Sequence, residues 1–271
     1  MIDALQLEFM QHALIAGLLA SVVCGIIGSY IVVKRMVFIS GGIAHASFGG
    51  VGLGYYVSAI TPLTGAFIFA IASALGIGVI TRKTRLAEDT AIGVLWSMGM
   101  ALGIVLIQVT PGYQPEPTSY LFGSILTVSE SDLWMLAGLD LLIIGMTSLL
   151  YKEFLAICFD EDFSTVVGIP VNFLYLLLLC MVALTVVLLI QMVGIILVIA
   201  LLTIPAALAR QFTHNLKWIM GLAVLFGAVF SVGGIWLSYE LDIPSGATII
   251  LVGGVALFAS FGISKLRHRR T

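Results

Sequence analysis

One histidine, His45, lies within a long apolar run and has the clearest capacity for chemistry in this chain. Ionisable side chains inside membrane-crossing segments are rare and usually functional. A neutral imidazole would suit transient binding of zinc, manganese or ferrous iron. The alternative is a histidine that hydrogen-bonds to a neighbouring carbonyl oxygen and holds two helices together. On a helix Gly41, Gly49 and Gly52 would share its face, so another backbone could approach closely there.

Asp140 is the other acidic residue that we expect at membrane depth, in the first half of a different apolar run. Carboxylate oxygens are ligands for hard divalent cations, so Asp140 is a second candidate metal ligand. The alternative is a buried structural aspartate whose carboxylate is hydrogen-bonded. The residues themselves leave both interpretations open.

An acidic connector, residues 153–170, joins two apolar runs. We expect Asp162 or Ser164 to cap a helix of one to two turns. Gly168 would end that helix and Pro170 would start the next membrane span. A short capped helix at the membrane surface suits docking to a soluble partner, although an ordinary solvated connector would have the same composition. The residues that we single out are Asp160, Glu161, Asp162, Phe163, Gly168, Ile169 and Pro170.

About nine apolar runs, each near twenty residues long, would carry these residues across a membrane as helices. Hydrophobic residues make up 61% of the chain and charged residues only 10%, too few for the surface of a soluble domain. We therefore predict an all-α polytopic membrane protein with eight to nine spans and a single integral domain, 1–271. The predicted spans are 12–33, 42–60, 62–80, 91–109, 133–151, 172–190, 192–209, 217–238 and 246–264.

The basic residues can all be placed on one side of that membrane. Every second gap between apolar runs contains no lysine or arginine, and basic residues accumulate on the cytoplasmic side. This predicts an external N-terminus and a cytoplasmic C-terminus whose basic cluster meets anionic lipid. The twelve basic residues are Lys34, Arg35, Arg82, Lys83, Arg85, Lys152, Arg210, Lys217, Lys265, Arg267, Arg269 and Arg270.

The external side has two features of interest. Residues 110–132 begin with three prolines and continue into an apolar stretch too short to span, which predicts an interfacial or re-entrant helix. Glu240 and Asp242 follow the eighth predicted span and either meet a docked protein or form a solvated turn. On the opposite side, Pro205 should kink or interrupt the seventh span.

Five stretches, taken together, resemble the permeases of zinc/manganese/iron ABC importers. The resemblance covers about residues 10–262 in that family's order. The stretches are SGGIAHAS (40–47), YLFGSI (120–125), DEDF followed by GIPV (160–171), VGIILVIALLTIPAA (193–207) and WLSYELDIPSGATIIL (236–251).

The resemblance implies a fold like that of type II ABC importer permeases and a defined set of partners. Two permeases, here most simply a homodimer, would form the pore in the cell membrane. The 160–170 segment would rest on a cytoplasmic ATPase, and an external binding protein would deliver a divalent metal ion. The sequence contains no GxxxxGK[ST] phosphate loop, so this subunit would not itself be an enzyme. We expect no permanently bound cofactor and no nucleic acid.

One departure from the family pattern concerns the metal. The family has an aspartate one helical turn before its histidine, where this chain has Gly41. A lone imidazole is a poor site for Mn²⁺, so the partner protomer or another span would have to supply the carboxylate. The identity of the transported metal therefore stays open.

Other classes of protein fit less well. A secondary transporter would couple transport through several ionisable groups at the midplane, of which this chain has few. An ABC permease for a non-metal substrate remains an alternative. An intramembrane enzyme lacks support because neither an HExxH motif nor a serine–histidine arrangement is present. A purely structural subunit would not explain the resemblance.

Overall fold

A computed structural model describes residues 7–57, 59–84, 86–112 and 123–268, with side chains as far as residue 262. Across these residues the chain forms eleven α-helices and one 3₁₀ turn, Ile125–Thr127. The helices are α1 Glu8–Val33, α2 Val37–Tyr56, α3 Pro62–Lys83, α4 Glu88–Val109, α5 Glu130–Leu149, α6 Tyr151–Phe159, α7 Glu161–Val166, α8 Val171–Val193, α9 Ile195–Arg210, α10 Leu216–Leu241 and α11 Ser245–His268.

Eight of the described helices are long and apolar enough to cross a membrane, which confirms the predicted fold class. The seventh predicted span, 192–209, corresponds to α9, which has only 16 residues. A 30 Å hydrocarbon core needs about twenty helical residues, so α9 is short for a full crossing.

The second helix begins earlier than the predicted span 42–60. Arg35 has a left-handed backbone (φ 61°), and α2 starts directly after Met36. It ends at Tyr56, and Pro62 begins α3 behind a cap in which the Thr61 side chain accepts a hydrogen bond from the Thr64 amide. His45 therefore lies near the middle of α2 rather than near the start of a span.

The chain divides into two compact units by its internal packing. Unit 1 comprises Met1–Val32, Phe122–Ile144 and Met192–Thr271, and unit 2 comprises Val33–Leu121 and Gly145–Gln191. The single permease domain that we predict from the sequence stays a prediction.

In unit 2, glycines bring three helices into backbone contact. A Cβ on Gly50 would collide with the Gly65 carbonyl group of α3. On the α4 side, a Cβ on Gly49 would lie 2.9 Å from the Gly99 carbonyl oxygen. Small residues at such crossings let membrane helices approach closely enough for their backbones to touch.

In unit 1, α1 packs in the same way on α9 and α10. A Cβ on Gly25 would lie 2.6 Å from the Val224 amide nitrogen, and one on Gly28 would overlap the Leu202 carbonyl oxygen. At the far end of α1, Arg210 Nη1 donates to the Val32 carbonyl oxygen at 2.9 Å. The C-terminal ends of α1 and α9 are therefore adjacent.

Of the kink or interruption that we predict at Pro205, the interruption is not found, and the kink stays a prediction. The helix α9 continues through Pro205, which is buried, as far as Arg210. The break lies instead at Gly194, whose φ of 82° is readily available only to glycine. Gly123 packs directly on this break, since a Cβ on Gly123 would collide with the Gly194 amide nitrogen.

Candidate functional site

His45 stacks on an aromatic ring contributed by α4. The imidazole and the indole of Trp96 lie with their centroids 4.1 Å apart and their planes inclined by 8°. The His45 Nδ1 atom is buried and makes no hydrogen bond with any residue that the structure describes. The carbonyl bond left open as an alternative is therefore not made by this nitrogen, and stacking is what holds the ring.

The glycines on the His45 side of α2 bring α4 close to the histidine. A Cβ on Gly52 would lie 2.6 Å from the Gly103 carbonyl oxygen, one turn beyond the contact that Gly49 makes with Gly99. Gly41 is buried as well. This close crossing brings Trp96 over the imidazole, so the glycines and the tryptophan together fix where His45 points.

Asp140 is buried in α5 with only 5% of its surface exposed. Neither carboxylate oxygen makes a hydrogen bond of ordinary geometry with a described residue, although α1 passes nearby at Val23 and Cys24. Both interpretations of Asp140, metal ligand and structural aspartate, therefore stay predictions. Asp140 belongs to unit 1 and His45 to unit 2.

Among the described residues, no three His, Cys, Asp or Glu side chains lie close enough together to hold a metal ion. His45 thus belongs to no group of three such side chains in the described part of its own chain. A transported ion held at His45 would need further ligands from water, from a second chain or from another arrangement of the helices.

The acidic connector folds into two short helices, of which the sequence predicted one. Residues at the end of the predicted fifth span and in the connector form α6, whose Phe154 and Ile157 side chains are buried. This helix was missed because its apolar residues merge with those of the preceding span. The second helix is α7, which lies in the predicted place.

The cap of α7 is Asp160 rather than Asp162 or Ser164. The Asp160 backbone is extended (φ −153°), and its carboxylate accepts a hydrogen bond from the Phe163 amide at 2.9 Å. Ser164 Oγ instead donates to the Asp160 carbonyl oxygen from within the helix. After α7, Gly168 takes a φ of 91° and the Ile169 amide donates to the Ser164 carbonyl oxygen, so the glycine ends the helix as predicted. Pro170 then precedes the first residue of α8.

Glu161 points towards basic residues of this chain. Its two carboxylate oxygens bind Lys34 Nζ at 2.6 Å and Arg82 Nη2 at 2.9 Å. Arg82 also donates to Asn172 Oδ1 at 2.5 Å and lies over the ring of Tyr175. We call Lys34, Arg82, Glu161, Asn172 and Tyr175 the Glu161 cluster. Sequence reasoning treated Lys34 and Arg82 only as markers of the cytoplasmic side.

The charges around Glu161 outweigh the effect of its burial. Burial alone would raise the pKa of the Glu161 carboxyl, but the hydrogen bond and charge of Lys34, with those of Arg82, hold that pKa below its usual range. Glu161 is therefore ionised at neutral pH. The cluster is a charge-assisted bridge between four segments of the chain, which are the turn after α1 and the helices α3, α7 and α8.

An apolar face of α7 and its flanks is exposed. Phe163 is 62% exposed and Val166 86%, and Phe159 and Val167 are exposed in the same way. These apolar side chains lie beside Asp162, which is exposed as well, and exposed apolar patches with a polar rim are typical of interaction sites.

The external features are described in part. Glu240 and Asp242 are both exposed, and Asp242 adopts a left-handed backbone (φ 53°) at the end of α10. In the 110–132 segment, residues 113–122 lie outside the described residues, whereas residues 123–128, the larger part of the apolar stretch in which we predict an interfacial or re-entrant helix, are described. The described part holds one 3₁₀ turn whose Ile125 is buried.

Comparison with known proteins gives a match along nearly the whole chain. The ABC 3 transport family matches residues 6–264. An uncharacterized membrane protein of Synechocystis sp. is 54% identical over 265 residues, covering 98% of this chain and 94% of that protein. The manganese transport system membrane protein MntC of Listeria monocytogenes is 38% identical over 257 residues, covering 95% of this chain and 91% of that protein.

The fold agrees with a solved structure of similar sequence. One chain of PsaBC from Streptococcus pneumoniae, solved in complex with Fab, superposes with a TM-score of 0.85 at 34% identity. The match covers 96% of this chain and 94% of that chain. With its eight apolar spans and this family match, the chain is a multi-pass membrane protein and belongs to the ABC 3 transport family.

Proposed function

We propose that this protein is the membrane-spanning permease subunit of an ATP-driven importer for divalent transition-metal ions. The observation that carries the proposal is the family match over residues 6–264, together with 38% identity to a manganese transport system membrane protein over 95% of the chain. Zinc, manganese and ferrous iron are the candidate cargoes. The metal ion is the substrate of the complex and is not a resident cofactor.

His45 is the residue that we propose meets the ion in transit. It is an ionisable group near the middle of a membrane helix, and its buried Nδ1 is free of hydrogen bonds from the described residues. Its imidazole is held by stacking, which leaves the ring nitrogens available as ligands. Asp140 is a second candidate on the pathway, since its buried carboxylate also lacks hydrogen bonds of ordinary geometry.

We propose that α7 is the element on which a cytoplasmic ATPase docks. Its exposed Phe163 and Val166 would fill an apolar groove, while Asp160 and Gly168 hold the helix ends by capping. Ile169 and Pro170 then lead the chain into α8. Pushing on α7 would thus move a membrane span directly.

The proposed complex has further members. A second permease protomer would supply the other half of the pore, and an external binding protein would deliver the ion near Glu240 and Asp242, which are exposed at one end of α10. The proposed orientation places the N-terminus outside the cell and the C-terminus in the cytoplasm beside anionic lipid.

Uptake by the reconstituted complex tests the metal assignment. Permease, ATPase and binding protein are placed in liposomes, and ATP-dependent entry of Mn²⁺, Zn²⁺ and Fe²⁺ is measured singly and in competition. We expect His45→Ala to lower uptake of the preferred ion by about ten-fold or more, the loss typical of a group that holds a reacting or transported species. The exposed His214 provides the matched control, and His214→Ala should leave uptake unchanged. If the complete complex moves none of the three ions, the proposed function is wrong.

Binding of the ATPase tests the docking surface separately. Val166→Asp places a charge in the proposed apolar contact and should lower recovery of the ATPase with the purified permease by about ten-fold or more. Thr165→Ala, next to it on the exposed side of α7, is the matched control. Full recovery of the ATPase with Val166→Asp would contradict docking at α7.

A further inference from the structure

We infer that Glu161 is a positioning residue that joins α7 to Lys34, in the turn before α2, and to the end of α3, so that these three segments move together when the ATPase acts. The inference rests on the proposed coupling role of α7. From the sequence we expect Glu161 to contact the ATPase as part of the acidic connector. We instead assign to Glu161 a function inside the permease.

The contacts of the Glu161 cluster carry this inference. Lys34 directly follows α1, and Arg82 lies in the last turn of α3. One carboxylate binds both cations, at 2.6 Å and 2.9 Å. Since each oxygen of Glu161 faces a different helix end, α7 cannot shift away from either end without breaking a charged hydrogen bond.

The burial of Lys34 makes the contact costly to lose. Its side chain is only 8% exposed, and its Nζ also donates to the Ile157 carbonyl oxygen of α6 at 2.8 Å. A buried ammonium group that loses its carboxylate is left as an uncompensated charge. Breaking the Lys34–Glu161 ion pair therefore costs more free energy than breaking an exposed surface ion pair would.

Arg82 extends the connection to α8. Its Nη1 bonds Asn172 Oδ1, and its guanidinium carbon lies 4.2 Å from the centroid of the Tyr175 ring. Both partners belong to the first two turns of α8. A planar guanidinium can bind a carboxylate and an amide while it stacks on an aromatic face, which a lysine cannot do in the same way.

Helix geometry separates this function from docking. At about 100° per residue, Phe163 and Val166 lie roughly 200° and 140° around α7 from Glu161. Glu161 thus faces the permease while Phe163 and Val166 face outward, where both are largely exposed. A six-residue helix with two such faces can receive force on one and pass it on through the other.

The coupling ratio, metal ions imported per ATP hydrolysed, is the measurement that distinguishes the two functions. We expect Glu161→Gln to leave ATPase binding within about two-fold of wild type and to lower the coupling ratio by about ten-fold, the factor for one charged hydrogen bond. Asp89→Asn removes an exposed carboxylate in the first turn of α4, outside both the Glu161 cluster and the docking surface, and should leave the ratio unchanged. Loss of ATPase binding in Glu161→Gln would place Glu161 in the docking surface and overturn the inference, as would an unchanged ratio.

A chemical cross-link between positions 34 and 161 should restore the coupling ratio that is lost when the ion pair is removed. In a chain whose native Cys24, Cys158 and Cys180 are replaced by serine or alanine, Lys34→Cys and Glu161→Cys are introduced together and joined by a short bis-methanethiosulfonate reagent. We expect the reduced double variant to be uncoupled and the cross-linked form to recover a coupling ratio within about two-fold of the cysteine-free parent. A monofunctional reagent of the same chemistry should give no recovery. If the cross-link stops transport instead, α7 has to separate from Lys34 during the cycle and the inference is wrong.

Hydrogen–deuterium exchange of the permease alone tests the connection without any transported ion. Residues 161–166 should exchange faster in Glu161→Gln than in wild type, and at the wild-type rate in Asp89→Asn. Equal exchange in all three proteins would overturn the inference even if uptake is normal. Conversely, faster exchange in Glu161→Gln with no metal uptake by the wild-type complex would contradict the proposed function and leave the connection itself supported.

Discussion

Two buried polar groups stand out at the scale of single residues. His45 Nδ1 and both Asp140 carboxylate oxygens lie away from water without a hydrogen bond of ordinary geometry from the described residues. Most buried polar atoms in proteins are satisfied, because leaving one unpaired costs roughly 1–3 kcal/mol. We propose that His45 and Asp140 are kept at that cost because they meet the transported ion.

Trp96 gives a direct optical probe of His45. In a variant that keeps Trp96 and replaces Trp134, Trp218 and Trp236 by phenylalanine, Mn²⁺ or Zn²⁺ should change the emission of the stacked indole. The change should vanish with His45→Ala. We expect Trp96→Phe, which keeps an aromatic face for the imidazole, to retain uptake within about three-fold, and Trp96→Ala to lose about ten-fold. Emission that responds equally with and without His45 would contradict metal binding at this residue.

The lowered pKa of Glu161 predicts how the Glu161 cluster responds to acid. Because this pKa is depressed in the folded protein, the stability that Glu161 contributes is complete above the ordinary carboxyl value of about 4.3 and is lost as the pH falls below it. Exchange of residues 161–166, corrected for its intrinsic pH dependence, should be flat from pH 7 to about pH 5 and rise only under stronger acid. Glu161→Gln should show no such rise, and a rise near pH 6 in wild type would contradict the predicted direction.

At the scale of helices, glycine contacts decide which spans touch. The backbones of α2 and α3 meet at Gly50 and Gly65, and those of α2 and α4 meet at Gly52 and Gly103. Without a hydrophobic force between helices in lipid, close van der Waals packing is what holds such crossings together. The position of Trp96 over His45 depends on the α2–α4 crossing.

Gly50→Ala tests this packing. The added methyl group would overlap the Gly65 carbonyl, and backbone atoms on both sides leave it no room, so we expect a loss of about 1–3 kcal/mol in stability. Gly93→Ala in α4 is the matched control, since a Cβ there meets nothing within 4 Å. Thermal unfolding in detergent should show a lowered midpoint for Gly50→Ala alone. Equal midpoints for the two variants would show that the crossing is looser than described.

At the scale of the whole molecule, basic side chains near helix ends make the hydrogen bonds that connect segments within each unit. Within unit 2, Lys34 in the turn before α2 and Arg82 at the end of α3 share the carboxylate of Glu161 in the acidic connector. Within unit 1, the end of α9 touches the end of α1 through Arg210. These are ends that the distribution of basic residues assigns to the cytoplasm.

Sidedness can be measured on one helix. His214 precedes α10 and Glu240 lies near its end, and both are exposed. In a cysteine-free background, a membrane-impermeant thiol reagent added to intact cells should label Glu240→Cys at once and His214→Cys only after permeabilisation. The reverse pattern would invert the proposed orientation, and equal labelling would show that α10 does not cross the membrane.

Several features could be predicted from the sequence because they depend on neighbours along the chain. Span positions follow from local hydrophobicity, and the end of α7 follows from Gly168. Predictions from neighbouring residues fail at two places. Asp160 caps α7 two residues earlier than expected. The helix α9 continues through Pro205 because the surroundings of a membrane helix can satisfy the backbone groups that a proline leaves without a partner.

The sequence by itself determined that this is a polytopic membrane protein, where most of its spans lie, and that His45 and the acidic connector are its chemically distinctive parts. Only the tertiary structure decided what those parts touch. Glu161 meets Lys34 across 127 residues and Arg82 across 79, and His45 meets Trp96 on another helix. Hydrophobicity and capping act over a few residues and can be read along the chain. Ion pairs and ring stacking depend on how helices cross, and those crossings are set by glycine contacts between segments far apart in sequence.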